Sequence, residues 1–129
     1  MDWIPRCEGG PLPPDFQIPV LFDDLLSAMD EAGLSMRVDP GRTKSNLAAA
    51  GFVDIREEVI RLPWNAWPNQ PDEKEIGRWF NLAISKGLLS MVMAPLTRVK
   101  GRPAQHVREL VARVMQETGL TVVHGYCLL

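Results

Sequence analysis

The sequence predicts an α/β fold, with three to five helices packed on a small two- or three-stranded sheet. Three observations lead there. Apolar residues recur at helical spacing in Leu21–Ala32, Ile76–Val92 and Val107–Met115, each run closed or followed by glycine. Val53–Leu62 and Leu120–Leu129 read instead as strands, rich in β-branched and other apolar residues. Between helix and strand stands Leu47-Ala48-Ala49-Ala50-Gly51-Phe52-Val53-Asp54-Ile55, a helix end, a glycine stop and an acid-flanked strand start, as is common late in open α/β domains. At 129 residues and 46% hydrophobic content, one domain over residues 1–129 has material for a core.

Each element follows from its residues. Met1–Pro19 holds five of the 11 prolines and Gly9-Gly10, so a short extended piece at Asp2–Pro5 should give way to a loop. From Pro19 the positions Leu21, Leu25, Ala28, Met29 and Ala32 define a first helix, stopped by Gly33. Asp39-Pro40 is a helix entry: Asp39 accepts from a free backbone N–H, and Pro40 sits where its missing N–H costs nothing. That second helix runs to about Ala50. Within Val53–Leu62 the apolar phase moves from odd to even positions across Glu57-Glu58, which predicts a bulge or an exit from the sheet.

Pro63–Pro71 is a stiff aromatic loop, since its prolines lack donors and restrict the residues before them. Asp72 and Glu75 resemble a capping box that opens the longest helix. Ile76, Trp79, Phe80, Ala83, Ile84, Leu88, Met91 and Val92 should form one continuous apolar face on it, with Trp79 in the core stripe and Arg78 at its border. Gly87 and Pro95 allow a kink or break before Gly101. Val107, Leu110, Val111, Val114 and Met115 mark the last helix, ended by Gly119, and the final strand follows. A sheet this thin obliges the long helix to bury much of its face, and stability should be marginal.

Composition excludes several functions. The balance of 14 basic and 16 acidic residues provides no basic field for a nucleic-acid partner. The apolar run Leu88–Leu96 is interrupted by Ser90 and Pro95 and falls short of the roughly 20 residues of a membrane span, so no membrane association is expected. The N-terminus lacks the layout of a secretory signal, and Cys7 and Cys127 lie far apart without metal spacing. These features point to the cytoplasm or nucleus, without a metal.

Candidate site residues each carry two readings. Trp64 and Trp67, held between prolines, would line a cleft for a flat apolar ligand or plug the edge of the core. His124 and Tyr126 share a strand face at period two, placing a base and a phenol over a pocket, unless the histidine is satisfied by a backbone partner. Cys127 falls on the opposite face, so no Cys/His nucleophilic pair forms there. Met91, Met93 and Met115 would be an adaptable pocket wall or ordinary core. With Trp3, the ligand-contact candidates are therefore Trp3, Trp64, Trp67, His124 and Tyr126; no residue is assigned a catalytic or cofactor-binding role. The long apolar helix face, Ile76 to Val92, would serve self-association or a partner.

Several segments together resemble one family: Asp2-Trp3-Ile4-Pro5-Arg6-Cys7, Leu12-Pro13-Pro14-Asp15, Met36-Arg37-Val38-Asp39, Ala50-Gly51-Phe52-Val53-Asp54, Trp67-Pro68, Lys74-Glu75-Ile76-Gly77-Arg78-Trp79-Phe80-Asn81 and Pro95-Leu96-Thr97-Arg98-Val99. In order and along the whole chain, they are similar to the carboxy-terminal half of fungal S-adenosylmethionine-dependent methyltransferases of the TAM-like type, a group of secondary-metabolism regulators and tailoring enzymes. The resemblance implies the C-terminal part of a doubly wound, Rossmann-like methyltransferase fold. Asp2–Pro5 would be the tail of the fifth strand and Val53–Leu62 the sixth. The seventh, from Leu120, would pair antiparallel with the sixth at a sheet edge.

In that family the glycine-rich turn and ribose carboxylate that hold S-adenosyl-L-methionine precede the portion represented here. The implied expectation is a truncated methyltransferase that neither binds the donor nor methylates alone. Its partner would be a small-molecule substrate or a protein completing the fold. The alternative is a non-catalytic partner subunit, a substrate-binding module or a cofactor-independent, isomerase-like protein built on the same fold.

Overall fold

The computed structural model describes residues 2–129, with only the backbone of Asp2. Elements run in the order β1 (Asp2–Cys7), α1 (Ile18–Glu31), α2 (Pro40–Ala49), β2 (Arg61–Pro63), α3 (Pro71–Ala94), α4 (Ala104–Thr118) and β3 (Gly125–Leu128), with a π-helical turn at Pro95–Val99. The α/β class and the three-stranded count match the expectation. Spatial order is β1-β3-β2, and β3 is antiparallel to both neighbours. The two outer strands are therefore parallel to each other, and their carboxy-terminal ends share one rim of the sheet. That geometry fits part of a methyltransferase fold, with the antiparallel β2–β3 pair at one edge.

The strands are shorter or longer than their apolar runs suggest. Of Val53–Leu62 only the end is strand. Phe52 and Val53 are 62% and 84% exposed, and pairing begins where Ile60 and Leu129 exchange backbone bonds of 2.8 Å. The phase shift at Glu57-Glu58 thus marks an entry into the sheet rather than a bulge within it. Leu120–His124 likewise stay outside the ladder. Conversely β1 continues past Pro5 to Cys7, and its register slips between Asp2 and Arg6, where Pro5 has no donor to give.

Glycine and proline set the helix ends as expected. Gly33 and Gly51 adopt left-handed φ values of 73° and 92°. Leu34 and Phe52 then bond back to Met29 and Leu47, closing each helix. Asp39 Oδ1 accepts from Arg42 N at 2.9 Å. The capping box at Asp72 does not form. Gln70 occupies the cap position without a side-chain bond, Pro71 opens α3, and Glu75 turns to Arg78 and Trp79 instead. The helix passes through Gly87 unbroken. At Pro95, which has no N–H, the hydrogen bonding widens into the π turn and ends at Gly101, φ 65°.

One face of the sheet carries the core. Ile18, Leu21, Leu25, Leu88, Val92, Leu96, Val107, Val114 and Cys127 are essentially inaccessible, and Met91, Met93 and Met115 pack against them. Pairs between the ends of the chain lock the layer: Arg102 to Asp24, Lys100 to Glu31, and Lys100 Nζ to Ser27 Oγ at 2.7 Å. Glu117, from α4, accepts from Gln17 N and Ile18 N at 2.7–3.0 Å, filling the N-terminus of α1 from a distance of a hundred residues along the chain.

The predicted single stripe on α3 is in fact two. Leu88 and Val92 are buried, and Phe80, Ile84 and Met91 lean on the core, whereas Ile76, Trp79 and Leu82 face outward, Trp79 being 63% exposed. By length and composition Pro71–Val99 is apolar enough to cross a membrane, with mean hydropathy 1.3. Leu88, Val92 and Leu96 pack into the core, but only 17% of the apolar window is buried, so burial in the domain does not account for its composition. The α2 segment is more exposed still, and no residue of α2 is buried.

Candidate functional site

Two features meet at the shared rim of β1 and β2. A groove of about 640 Å³ is lined by the end of β1 (Pro5, Arg6, Cys7), the proline-rich loop that follows, the start of α1 and Tyr126. Beside it, Trp67 and His124 stack at 4.4 Å with their planes 7° apart. The Arg61 guanidinium lies 5.2 Å from the Trp67 ring and 5.7 Å from that of Tyr126. Tyr126 lines the groove and is linked to the Trp67–His124 pair only through Arg61.

Local sequence explains the placement. Proline on both sides of Trp67 stiffens its loop, and its indole N–H donates to Gly125 O at 2.9 Å, pinning the ring over the start of β3. Tyr126 lies in β3, whereas His124 precedes the strand and reaches Trp67 from the segment leading into it. The His124 carbonyl accepts from Glu8 N at 3.0 Å, while its ring lies on Trp67 rather than against a backbone partner. Arg61 is held by both carboxylate oxygens of Glu73, at 2.9 and 3.0 Å, and by Glu8 at 3.1 Å. Its charge is therefore already balanced, and what it offers outward is a fixed planar group among aromatic faces.

Trp3 and Trp64 are placed differently. Trp3 stacks on Phe22 of α1 at 5.5 Å, against the core. Trp64 is 4% exposed, donates to Cys127 Sγ at 3.4 Å and plugs the sheet–helix junction. The structure thus joins Trp67, His124 and Tyr126, and places the other two tryptophans in the packing behind them. Sequence reasoning did not find Arg61, Glu8, Glu73 or the groove residues of the proline loop. Arg61 reaches the stack only through cross-strand register, for which a single chain reading has no signal; the prolines of residues 5–19 predicted a loop and not a groove wall.

A second groove, of about 500 Å³, runs between α2, residues 55–59 and the end of β3, with Leu47, Val59 and Leu128 in its walls. Among the described residues no group of three or more His, Cys, Asp or Glu is placed to hold a metal ion.

The turn after β1 departs from the layout of a site for a sulfonium donor. Such a ligand needs a glycine turn leading into a helix N-terminus and a carboxylate for the ribose. The Gly9-Gly10 pair after β1 leads into prolines, and the free amides at the start of α1 are occupied by Glu117. The rim can bind and orient a flat or apolar group. Cys127 is buried beneath Trp64, away from the stack.

No protein-family model matches the chain, and no solved structure matches it. Curated relatives do. The chain is 39% identical over 127 residues to the protein-methionine methyltransferase laeA of Chaetomium globosum, covering 98% of this chain and 40% of that protein. To the secondary metabolism regulator LAE1 of Cochliobolus heterostrophus it is 42% identical, over 98% of the chain and 41% of the relative. To the secondary metabolism regulator laeA of Fusarium oxysporum f. sp. lycopersici it is 39% identical, over 98% and 40%. It therefore spans about two fifths of the length of these relatives. Along nearly its whole length, this chain is a homologue of a part of the LaeA/LAE1 secondary-metabolism regulators, methyltransferase-family members from fungi.

Proposed function

We propose that these 129 residues form the acceptor-facing part of an S-adenosyl-L-methionine-dependent methyltransferase of fungal secondary metabolism, and that the donor is held by residues outside them. The observation that carries the reading is the rim: a groove lined by Tyr126 lies beside the Trp67–His124 stack, with Arg61 between them, at the carboxy-terminal ends of two parallel strands, where open α/β sheets bind ligands. Trp67, His124 and Tyr126 would contact the acceptor, a small molecule or a side chain of a protein, and Arg61 would keep the aromatic planes apart and parallel. Methyl transfer depends on holding the acceptor atom in line with the donor, so this part contributes position rather than reactive groups.

The departure of that turn from a donor site's layout supports the further view that these residues do not methylate alone. They would act as one portion of a larger enzyme, or as a non-methylating partner subunit or substrate-binding module completed by another protein. A sequence with only two cysteines, Cys7 and Cys127, far apart along the chain, suits a reducing location, cytoplasm or nucleus.

Calorimetric titration with S-adenosyl-L-methionine tests the proposal, once with these 129 residues and once with a chain extended to the relatives' length. Heat of binding is expected only from the extended chain, and Trp67→Ala in that chain should raise the acceptor KM while leaving donor affinity unchanged. Stoichiometric donor binding by the 129 residues, or turnover by them alone, would overturn the reading.

A further inference from the structure

The outward face of α3 has the layout of a helix seam. Ile76, Trp79, Ala83, Lys86 and Ser90 are spaced three, four, three and four residues apart, all exposed, and this alternation aligns side chains along one line of a helix. Trp79 is the largest of them and is already fixed: its indole N–H donates to Glu75 Oε1 at 2.8 Å, so little freedom remains to be lost when a partner covers it. Four residues on, the stripe narrows to Ala83 and then Gly87, around whose Cα no atom lies within contact distance of an added Cβ. A broad plate thus stands next to a shallow recess on the same helix.

We propose that this face is a docking surface for a second copy of the chain, with two α3 helices antiparallel about a two-fold axis near residue 81. The argument is self-complementarity, which a two-fold contact requires. Reflection of the numbering about residue 81 sets Trp79 against Ala83 of the other copy, plate on recess, and does so twice. Leu82 meets its own counterpart beside the axis.

The charges match as well. Glu75 lies six residues before residue 81 and Lys86 five after it; at about 1.5 Å rise per residue the two groups on opposing helices come within one residue's rise of the same level, and on the same flank. Each contact therefore brings Lys86 to a carboxylate that Arg78 of its own chain pairs at 3.3 Å, whereas a parallel arrangement in register would leave Glu75 and Lys86 on opposite flanks and at different levels. Spacing of this kind gives a shallow crossing of about 20°.

Sedimentation of the chain across a concentration series tests this, with two single variants and their mixture. Trp79→Ser should weaken association at least tenfold without moving the thermal midpoint, since the ring is outside the core. Lys86→Glu and Glu75→Lys should each weaken self-association by a similar factor. Mixed in equal amounts, these two should recover a dimer, because their heterodimer restores two opposite-charge pairs; the mixture shows that neither variant had merely misfolded. A parent chain that stays monomeric to about 100 µM, a dimer indifferent to Trp79→Ser, or charge variants that fail to recover on mixing would each overturn the assignment. So would a monomer that floats with lipid vesicles through Trp79.

Discussion

Adding one methyl group at Gly125 tests how the sheet is joined to the helical layer. A Cβ built there lies 2.0 Å from Trp64 Cε3, 2.2 Å from Cζ3 and 2.6 Å from Cδ2. Carbon atoms prefer roughly 3.5–4.0 Å, so about 1.5 Å must be opened. The indole cannot supply it: Trp64 is buried, tied to Cys127 Sγ, and the void beside it, between Phe22, Phe80, Val114 and Thr118, measures only about 10 Å³. Overpacking of this severity belongs at the upper end of its usual range, about 3 kcal/mol. With a urea slope of about 1–3 kcal/mol/M for a small domain, Gly125→Ala should lower the unfolding midpoint by roughly 1–3 M with the slope unchanged. Trp64→Leu alone is destabilising through the cavity it leaves, yet in the double variant the methyl group fills part of that cavity. The cycle should therefore show a favourable coupling of at least about 1 kcal/mol. A Gly125→Ala midpoint within about 0.3 M of the parent's, or a strictly additive cycle, would refute close packing of β3 on Trp64.

Gly77→Ala should be as costly for a related reason: its Cβ would fall 2.0 Å from Asn65 O, driving α3 off the loop that Asn65 and Asn81 pin, and the melting temperature should drop by about 10 °C. Glu117→Gln should cost about 1–2 kcal/mol in chemical unfolding, because three charge-assisted bonds at the start of α1 weaken together; retained hydrogen-exchange protection at Gln17 and Ile18 would contradict this. Arg61→Lys should loosen the rim by about 1 kcal/mol and change the Trp67 emission, since an ammonium has one nitrogen where the guanidinium gives Nη2 to Glu73 and Nη1 to Glu8 beside the two rings. The Ser35 hydroxyl, and after it the Arg37 guanidinium, hold the Asp30 carboxyl below its ordinary value of 3.8. The linked stability is present above the unfolded-state value and is lost as pH falls through the folded one, so a carboxyl NMR titration should place Asp30 below 3.8, and Ser35→Ala should raise it more than Arg37→Ala.

Much of this fold was legible because its punctuation is chemical. Gly33 and Gly51 can take the left-handed φ that other residues avoid, and Pro40 fixes its own φ, so the helix limits they set are local facts, and the structure keeps them. Strand limits are not local. Val53 and Val59 have the composition of strand residues, but a ladder exists only where β3 runs alongside, and β3 is four residues long. The same reason hid Arg61. Its neighbours in sequence place it at the end of an apolar run, while its role comes from Glu8, Glu73 and Trp67, which only folding brings near.

Trp79 exposes the sharper limit of a periodicity argument. Ile76, Trp79 and Ala83 are as apolar as Phe80, Ile84 and Leu88, and together they cover most of the helix circumference, so pattern alone merges them into one face. What divides them is the supply of partners: α1, α4 and the sheet pack on the Leu88–Val92 side, and Ile76, Trp79 and Ala83 stay exposed on the other. An apolar residue is buried by its surroundings and not by its own hydrophobicity. The exposed tryptophan is then best read as one half of a contact whose other half lies on another molecule, and the alternation of Glu75 and Lys86 along the same helix specifies what that molecule must look like: acid opposite base, recess opposite plate, which α3 itself provides when turned end for end.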